Sequence, residues 1–274
     1  MHEERTGENL SAAKAVAKSL AKLQREREQA SLDVGLLDYP NADIYLRIPT
    51  LATLRRLRSC RKEPWTIRWI EEWLEPGQTL YDVGANVGAY ALVAATASEG
   101  QAKVIAFEPG YATFAALCEN IALNEAEESV IPLPIALSDR TSLASLTYSD
   151  RAAGRALHTF GAYSGESQAH VQPILSYALD ELVEQFALPP PNHIKLDVDG
   201  TEAEVLAGAT RLLAAPDLVS VLVEVHPYEA EAIDAALGAA GLLRIDEFRA
   251  TPKPGRNPPK HAYHLFTRDG RRIG

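Results

Sequence analysis

Five short apolar runs in this 274-residue chain end in a side chain able to do chemistry. "TLYDVGANVGAY" carries Asp82, "VIAFEP" Glu108, "ALSD" Asp139, "HIKLDVDG" Asp197 and Asp199, and "VLVEVHP" Glu224 and His226. A carboxylate in such a place accepts hydrogen bonds from hydroxyls or draws in a cation. A histidine, with an unperturbed pKa of ~6.5, exchanges a proton near neutrality. After Asp82, Gly84 and Gly88 stand four apart with Asn86 between them. Gly84 permits a sharp turn without a Cβ clash. Gly88 opens the next helix, where a side chain would strike a ligand or the sheet, and Asn86 can hydrogen-bond across the turn. A dinucleotide fingerprint would place a third glycine further on to admit a pyrophosphate; Ala91 and Leu92 stand there instead.

These residues need a frame. From residue 79 the chain alternates β-branched runs with alanine-rich helical stretches. "TLYDV", "KVIAFEP", "SVIPLPIAL", "HIKLDVD" and "LVSVLVEVH" read as strands. "GAYALVAATASEG", "ATFAALCENIALN", "AEVLAGATRLLAA" and "EAEAIDAALGAAG" read as the helices between them. Strands apolar on both sides indicate a parallel sheet covered on both faces. "LRIDEFRA" and "AYHLFTRD" have no helix between them, only the Pro-rich "TPKPGRNPPKH", and are expected to close the sheet as an antiparallel pair. Right-handed crossovers bring the binding loops to the carboxyl ends of the parallel strands.

The 75 residues ahead of this α/β unit form a helical extension, giving boundaries at 1–75 and 76–274. Leu10, Ala13, Val16, Leu20 and Leu23 mark an amphipathic helix over residues 10 to 30. Docking on its own domain competes there with a homodimer contact. An irregular stretch runs from Pro40 to Pro49, followed by two helices broken at Pro64 and stopped by Pro76-Gly77. Arg55, Arg56, Arg58, Arg61 and Lys62 read first as a solvated helix face, with a subsite for an anionic substrate as the alternative.

Composition excludes several classes. A net charge of -10 argues against general nucleic-acid or acidic-membrane binding. Cys60 and Cys118 lie far apart and next to no ligand-spaced histidine, so neither a disulfide framework nor a zinc site is indicated. No run reaches the ~20 apolar residues of a membrane span, and residues 1–28 lack a signal-peptide core; a cytoplasmic protein is expected. Glu108, 26 residues after Asp82, stands where a carboxylate takes two hydrogen bonds from a ribose diol. Asp82 would repel phosphate and welcome an α-amino group. Together they describe a nucleoside that carries an amino acid, S-adenosylmethionine, with a nicotinamide dinucleotide as the rival ligand.

Over residues 60 to 270 the chain resembles the FkbM-type, S-adenosylmethionine-dependent methyltransferases. The carriers are "KEPWTIRWI", "YDVGANVGAYALVAA", "VIAFEP", "ALSD", "LDEL", "IKLDVDGTEAEVLAG" and "VEVHP", in that order. The resemblance implies a Rossmann-like class I methyltransferase fold, a mostly parallel central sheet with an antiparallel last strand, plus N-terminal helices. It implies that Asp82, Gly84, Asn86 and Gly88 shape the pocket for the methionine portion of the cofactor and that Glu108 holds the ribose. By the same resemblance, Ser138 and Asp139 adjoin the adenine, and Glu63 and Thr66 cover the amino-acid end. The implied acceptor is a hydroxyl on a sugar, polyketide or other secondary metabolite. Some similar proteins methylate peptide amides or carboxylates, and a non-catalytic cofactor-binding module is a further alternative.

Methyl transfer is an in-line displacement that needs alignment, exclusion of water and removal of a proton. Asp197 would accept a proton or orient a hydroxyl, and Glu224 and His226 share a strand face by alternation, with His226 the natural base. Lys195 would neutralise an acidic neighbour. Asp199 and Glu202 read as caps of the following helix. Asp197, Asp199 and Glu224 permit Mg²⁺ without requiring it, and no metal is expected. Residues 149–169, rich in Gly, Ser and Ala, read either as a mobile lid over the acceptor or as an ordinary loop.

Overall fold

The computed structural model describes residues 34–148, 159–160, 170–250 and 260–273. The helix expected over 10–30, most of the 149–169 segment and the linker at 251–259 lie outside the described residues.

A seven-stranded sheet forms the centre. In chain order its strands are β3 (Thr79–Val83), β4 (Lys103–Phe107), β5 (Val130–Leu133), β10 (His193–Leu196), β11 (Ser220–Val225), β12 (Leu243–Phe248) and β13 (Ala262–Thr267). Across the sheet they run β12-β13-β11-β10-β3-β4-β5. The five strands from β11 to β5 are parallel, and β13 runs antiparallel to both β11 and β12. The α/β class and the antiparallel closing pair expected from the sequence are what the chain forms.

Residue alternation assigns each face. Leu80, Val104, Ala106, Val130, Leu222 and Leu265 pack on one side beneath helices α3 (Pro64–Trp73) and α4 (Ala89–Ala97). There Trp69 Nε1 donates to Ser220 Oγ at 2.9 Å. Tyr81, Val83, Ile105, Ile194, Leu196, Val221 and Val223 point the other way. They meet α7 (Glu202–Ala207), α9 (Ala230–Ala239) and the short α8 (Thr210–Ala214). Burial of each such side chain contributes roughly 1.5–3 kcal/mol, which explains why both faces are covered.

Four local expectations need correction. "SVIPLPIAL" is two strands: β5, at the sheet edge, admits Pro132 and ends ahead of Pro134, and β6 (Ala136–Ser138) joins another sheet. That four-stranded sheet, ordered β6-β9-β7-β8, adds β7 (Ser142–Tyr148), β8 (Thr159–Phe160) and β9 (His170–Ala178). The stretch from Pro40 to Pro49 contains β2 (Tyr45–Arg47), which pairs with β1 (Val34–Leu36). Its companion region holds α1 (Leu51–Arg56), α2 (Ser59–Lys62) and α3 in place of two helices; Pro64 sits at the first turn of α3, where its missing N–H costs nothing. "AEVLAGATRLLAA" breaks into α7 and α8 at Gly208, whose Cβ would stand 2.0 Å from the Ser138 carbonyl oxygen. The remaining helices are α5 (Tyr111–Leu123) and α6 (Leu179–Phe186).

Candidate active site

The polar set lies on the face of the sheet beneath α3 and α4. Lys195 pairs in register with Asp82, and Glu224 with Tyr263, so alternation carries all four to the same side. Deep in the sheet the polar groups are structural. His193 meets Ser220 Oγ at 2.7 Å and Gln78 Oε1 at 2.9 Å, and burial pulls its pKa down to about 4. Nearer the carboxyl ends the charges accumulate. Lys195, 2% exposed, places Nζ 3.2 Å from Asp197 Oδ2, 3.7 Å from Asp82 Oδ1 and 4.9 Å above the Tyr90 ring. Burial alone would favour a neutral amine, but Asp197, Asp82 and Glu63 more than reverse it and hold Lys195 charged. Burial outweighs Lys195 at Asp82, whose carboxyl is raised. At Asp197 burial also pushes up, yet Lys195 and Lys62 prevail and keep it below the usual carboxylate range. Tyr263 Oη donates to Asp197 Oδ2 at 3.1 Å.

Glu224, 4% exposed, lies between two imidazoles: His226 Nε2 is 3.3 Å from Oε2 and His261 Nε2 is 3.3 Å from Oε1. Burial first, then the carboxylates of Asp197, Glu202 and Asp199, push its pKa up to about 9. At the other end, Glu108 accepts from Asn86 N at 3.1 Å and Gly110 N at 2.8 Å, while burial raises it to about 7.

One cavity of about 350 Å³ joins these ends, within the usual size of a small-molecule site. Its lining follows the strand order: Glu108 beyond β4, Gly84 and Asn86 beyond β3, Asp197 and Asp199 beyond β10 and Glu224 in β11. Phe107, Ile135, Ala136, Leu137 and Leu146 add an apolar wall, and His261, Tyr263, Arg56 and Lys62 also reach it. This chemistry fits the cofactor expected from the sequence. The apolar wall suits a purine, the buried Glu108 carboxylate suits a diol, and the Asp197 carboxylate near the glycine turn suits a sulfonium while opposing a pyrophosphate.

The predicted residues divide accordingly. Gly84, Asn86, Glu108, Asp197 and Glu224 meet in the cavity, with His226 against Glu224. Asp82, Glu63 and Thr66 are fully buried and absent from its lining, Asp82 facing Lys195 and Glu63 pairing with Lys62 at 2.7 Å. Ser138 donates to Asp139, which pairs with Arg140 at 3.0 Å; neither lines the cavity. A Cβ on Gly84 would come 1.9 Å from the Asp197 carbonyl oxygen, so the turn presses against the end of β10. Gly88 (φ 88°) starts α4, and its Cβ would strike Leu117 of α5 at 2.6 Å, neither ligand nor sheet. The capping role expected of Asp199 and Glu202 is also corrected. Thr201 is the N-cap of α7, Glu202 accepts from Val198 N and Gly200 N, and Asp199 lines the cavity. Of the basic cluster, Arg55, Arg58 and Arg61 are exposed, while Arg56 and Lys62 border the cavity. His261 and Tyr263 went unmarked in the sequence; a histidine opening the run "HAYHLF" opposite "VEVH" was the available signal.

Comparison with known proteins gives the chain a family. The methyltransferase FkbM domain family matches residues 82–248. The hexuronic acid methyltransferase AglP of Haloferax volcanii is 33% identical over 211 residues, covering 75% of this chain and 82% of that protein. The 31-O-demethyl-FK506 methyltransferase FkbM of Streptomyces tacrolimicus is 29% identical over 197 residues, 62% of this chain and 72% of that one. Among solved structures, an S-adenosylmethionine-dependent methyltransferase from Agrobacterium tumefaciens aligns with a TM-score of 0.48 at 10% identity, covering 86% of this chain and 71% of that chain. The chain belongs to the FkbM methyltransferases and is an S-adenosylmethionine-dependent enzyme.

Proposed function

We propose that the protein methylates a hydroxyl of a polyhydroxylated small molecule bearing a carboxylate, such as a hexuronic acid. The observation that carries this reading is a cavity with Glu108 and Glu224 at the ends of its strand-end row and the glycine turn beside Asp197 between them. S-adenosylmethionine, when bound, supplies a methyl group already activated on a sulfonium. Gly84 and Asn86 would shape the pocket for its methionine portion, and Glu108 would accept from the ribose hydroxyls. Asp82, Glu63, Thr66 and Gly88 support that pocket from behind, and Ser138 and Asp139 border the strand that carries its apolar wall.

The chain's own task is then to place the acceptor and take its proton. Asp197, held ionised by Lys195 and Lys62, receives the proton of the acceptor hydroxyl as the new C–O bond forms. Glu224 and His226 position that hydroxyl. Positioning contributes more than base strength here, because the leaving sulfide needs no protonation. Arg56 and Lys62 suit the acceptor's carboxylate, which agrees with the hexuronic acid named for one relative.

The test is mass analysis of hexuronic acids, neutral sugars and amide peptides incubated with the protein and S-adenosylmethionine. One added methyl on a uronic acid hydroxyl is expected. Asp197→Asn should lower turnover by about 10²- to 10⁴-fold, the range for a positioned base. Methylation confined to the amides would overturn the reading.

A further inference from the structure

We propose that Glu224, His226 and His261 form a binding site for one divalent metal ion of the borderline class, such as Mn²⁺, Co²⁺ or Zn²⁺. The strands bring the three together. Val225 and Ala262 are the last paired residues of β11 and β13, so positions 226 and 261 face each other one step beyond the ladder. Glu224, two residues before His226, shares its face.

One ligand atom from each side chain lies within 4.8 Å of the others. Metal–ligand bonds of ~2.0–2.2 Å set ligand atoms about 3.4 Å apart around a tetrahedral ion, so small side-chain rotations would close the three around one. Both oxygens of the buried carboxylate are already flanked, each by an imidazole Nε2 at 3.3 Å. The Nε2 of His226 is buried and makes no hydrogen bond, although the carboxylate is next to it. The rings are also steadied from outside: His226 stacks on Tyr228 with centroids 5.4 Å apart, and His261 meets Tyr263 edge-on at 6.2 Å.

The local charge asks for a cation as well. Asp197 and Asp199 line the same cavity as Glu224. A bound ion would offset that crowding of carboxylates. Two nitrogens and one carboxylate suit Mn²⁺, Co²⁺ or Zn²⁺ better than the oxygen-seeking Mg²⁺. Asp197, Asp199 and Glu224 make a second, all-oxygen trio that shares Glu224, and this is the competing placement. Three protein ligands leave coordination positions open toward the cavity that Glu224 and His261 line. An ion there would hold the acceptor hydroxyl and make its proton easier for Asp197 to take. That role rests on the proposed O-methylation; the site itself does not.

The experiment therefore uses the metal alone. Chelator-treated protein is titrated with Co²⁺, followed by calorimetry and visible absorption, without methyl donor or acceptor. Saturation at one Co²⁺ per chain is expected, with a ligand-field band. His226→Ala and His261→Ala, both at partly exposed strand ends, should each weaken binding by about tenfold or more, and Asp199→Asn should leave it within about twofold. The thermal unfolding midpoint, measured separately on the same variants, should stay close to that of the native protein and reports that they are folded. Absence of saturable Co²⁺ uptake would overturn the proposal. So would uptake that survives in the double histidine variant, or uptake lost on Asp199→Asn, which would place the ion in the carboxylate trio. None of these outcomes bears on methyl transfer, and failure to methylate any acceptor would leave Co²⁺ binding standing.

Discussion

Lys195 is the residue on which the charged end of the cavity depends. It is fully enclosed and faces two carboxylates, one of which, Asp82, is 0% exposed. Removing it strands buried charge, so Lys195→Ala should cost about 3–5 kcal/mol in denaturant unfolding. Adding Asp82→Asn should recover part of that loss; a single-variant loss below about 1 kcal/mol would show the pair to be idle. Glu108 makes a second prediction at this scale. Burial raises its pKa to about 7, so near pH 6 it is mostly protonated in the free protein. Hydroxyls donating to it favour the ionised form. Affinity for S-adenosylmethionine should therefore climb as pH rises through 7 and level off above about 8. Calorimetric titrations that give one affinity from pH 6 to 8 would contradict this.

At the scale of elements, the turn after β3 decides how close the cavity's two halves come. Gly84 and Gly77 both have positive φ, 84° and 82°, yet a Cβ on Gly77 meets nothing within 4 Å, while one on Gly84 would overlap the Asp197 carbonyl. Gly77→Ala should cost only the backbone strain of about 1–2 kcal/mol. Gly84→Ala should cost clearly more and weaken cofactor binding, because the end of β10 must retreat. Equal thermal midpoints would show that the contact yields easily. The same comparison marks how far the sequence could be read. Alternation and glycine placement made β3, β4, β10, β11 and the helices after β3 and β4 legible, and with them the places of Gly84, Asn86, Glu108, Asp197 and Glu224. Pro134 was less legible, because its effect depends on which sheet the next three residues join. His261 was hidden for another reason. Only the antiparallel insertion of β13 beside β11 sets it against Glu224, and a Pro-rich linker separates it in sequence from β11. Gly88 was read as making room for a ligand or the sheet, and the protein neighbour that a Cβ there would meet is Leu117 of the next helix.

Across the whole molecule, buried carboxyls dominate the dependence of stability on pH. Burial raises Glu108 to about 7, Glu202 to about 8 and Glu224 to about 9. The folded protein thus keeps protons that the unfolded chain, with carboxyls near 4.5, has already released. Stability must fall as pH rises across that window. His193, lowered to about 4, acts in the opposite sense, but only below ~6.5, where the unfolded histidine gains its proton. Between pH 7 and 9 the carboxyls therefore prevail, and the calorimetric midpoint of the free protein should decline; a midpoint rising to pH 9 would mean that they ionise without cost. The central claim is that one cavity holds the methyl donor at its Glu108 end and the acceptor at its Asp197 end. Calorimetric titration of S-adenosylmethionine into the native protein and Glu108→Ala tests it most directly. The native chain should bind one equivalent, and the variant, folded by its unfolding midpoint, should bind about tenfold to a hundredfold more weakly, the loss expected for hydrogen bonds to a charged group. Undiminished affinity in Glu108→Ala would contradict the placement of the donor.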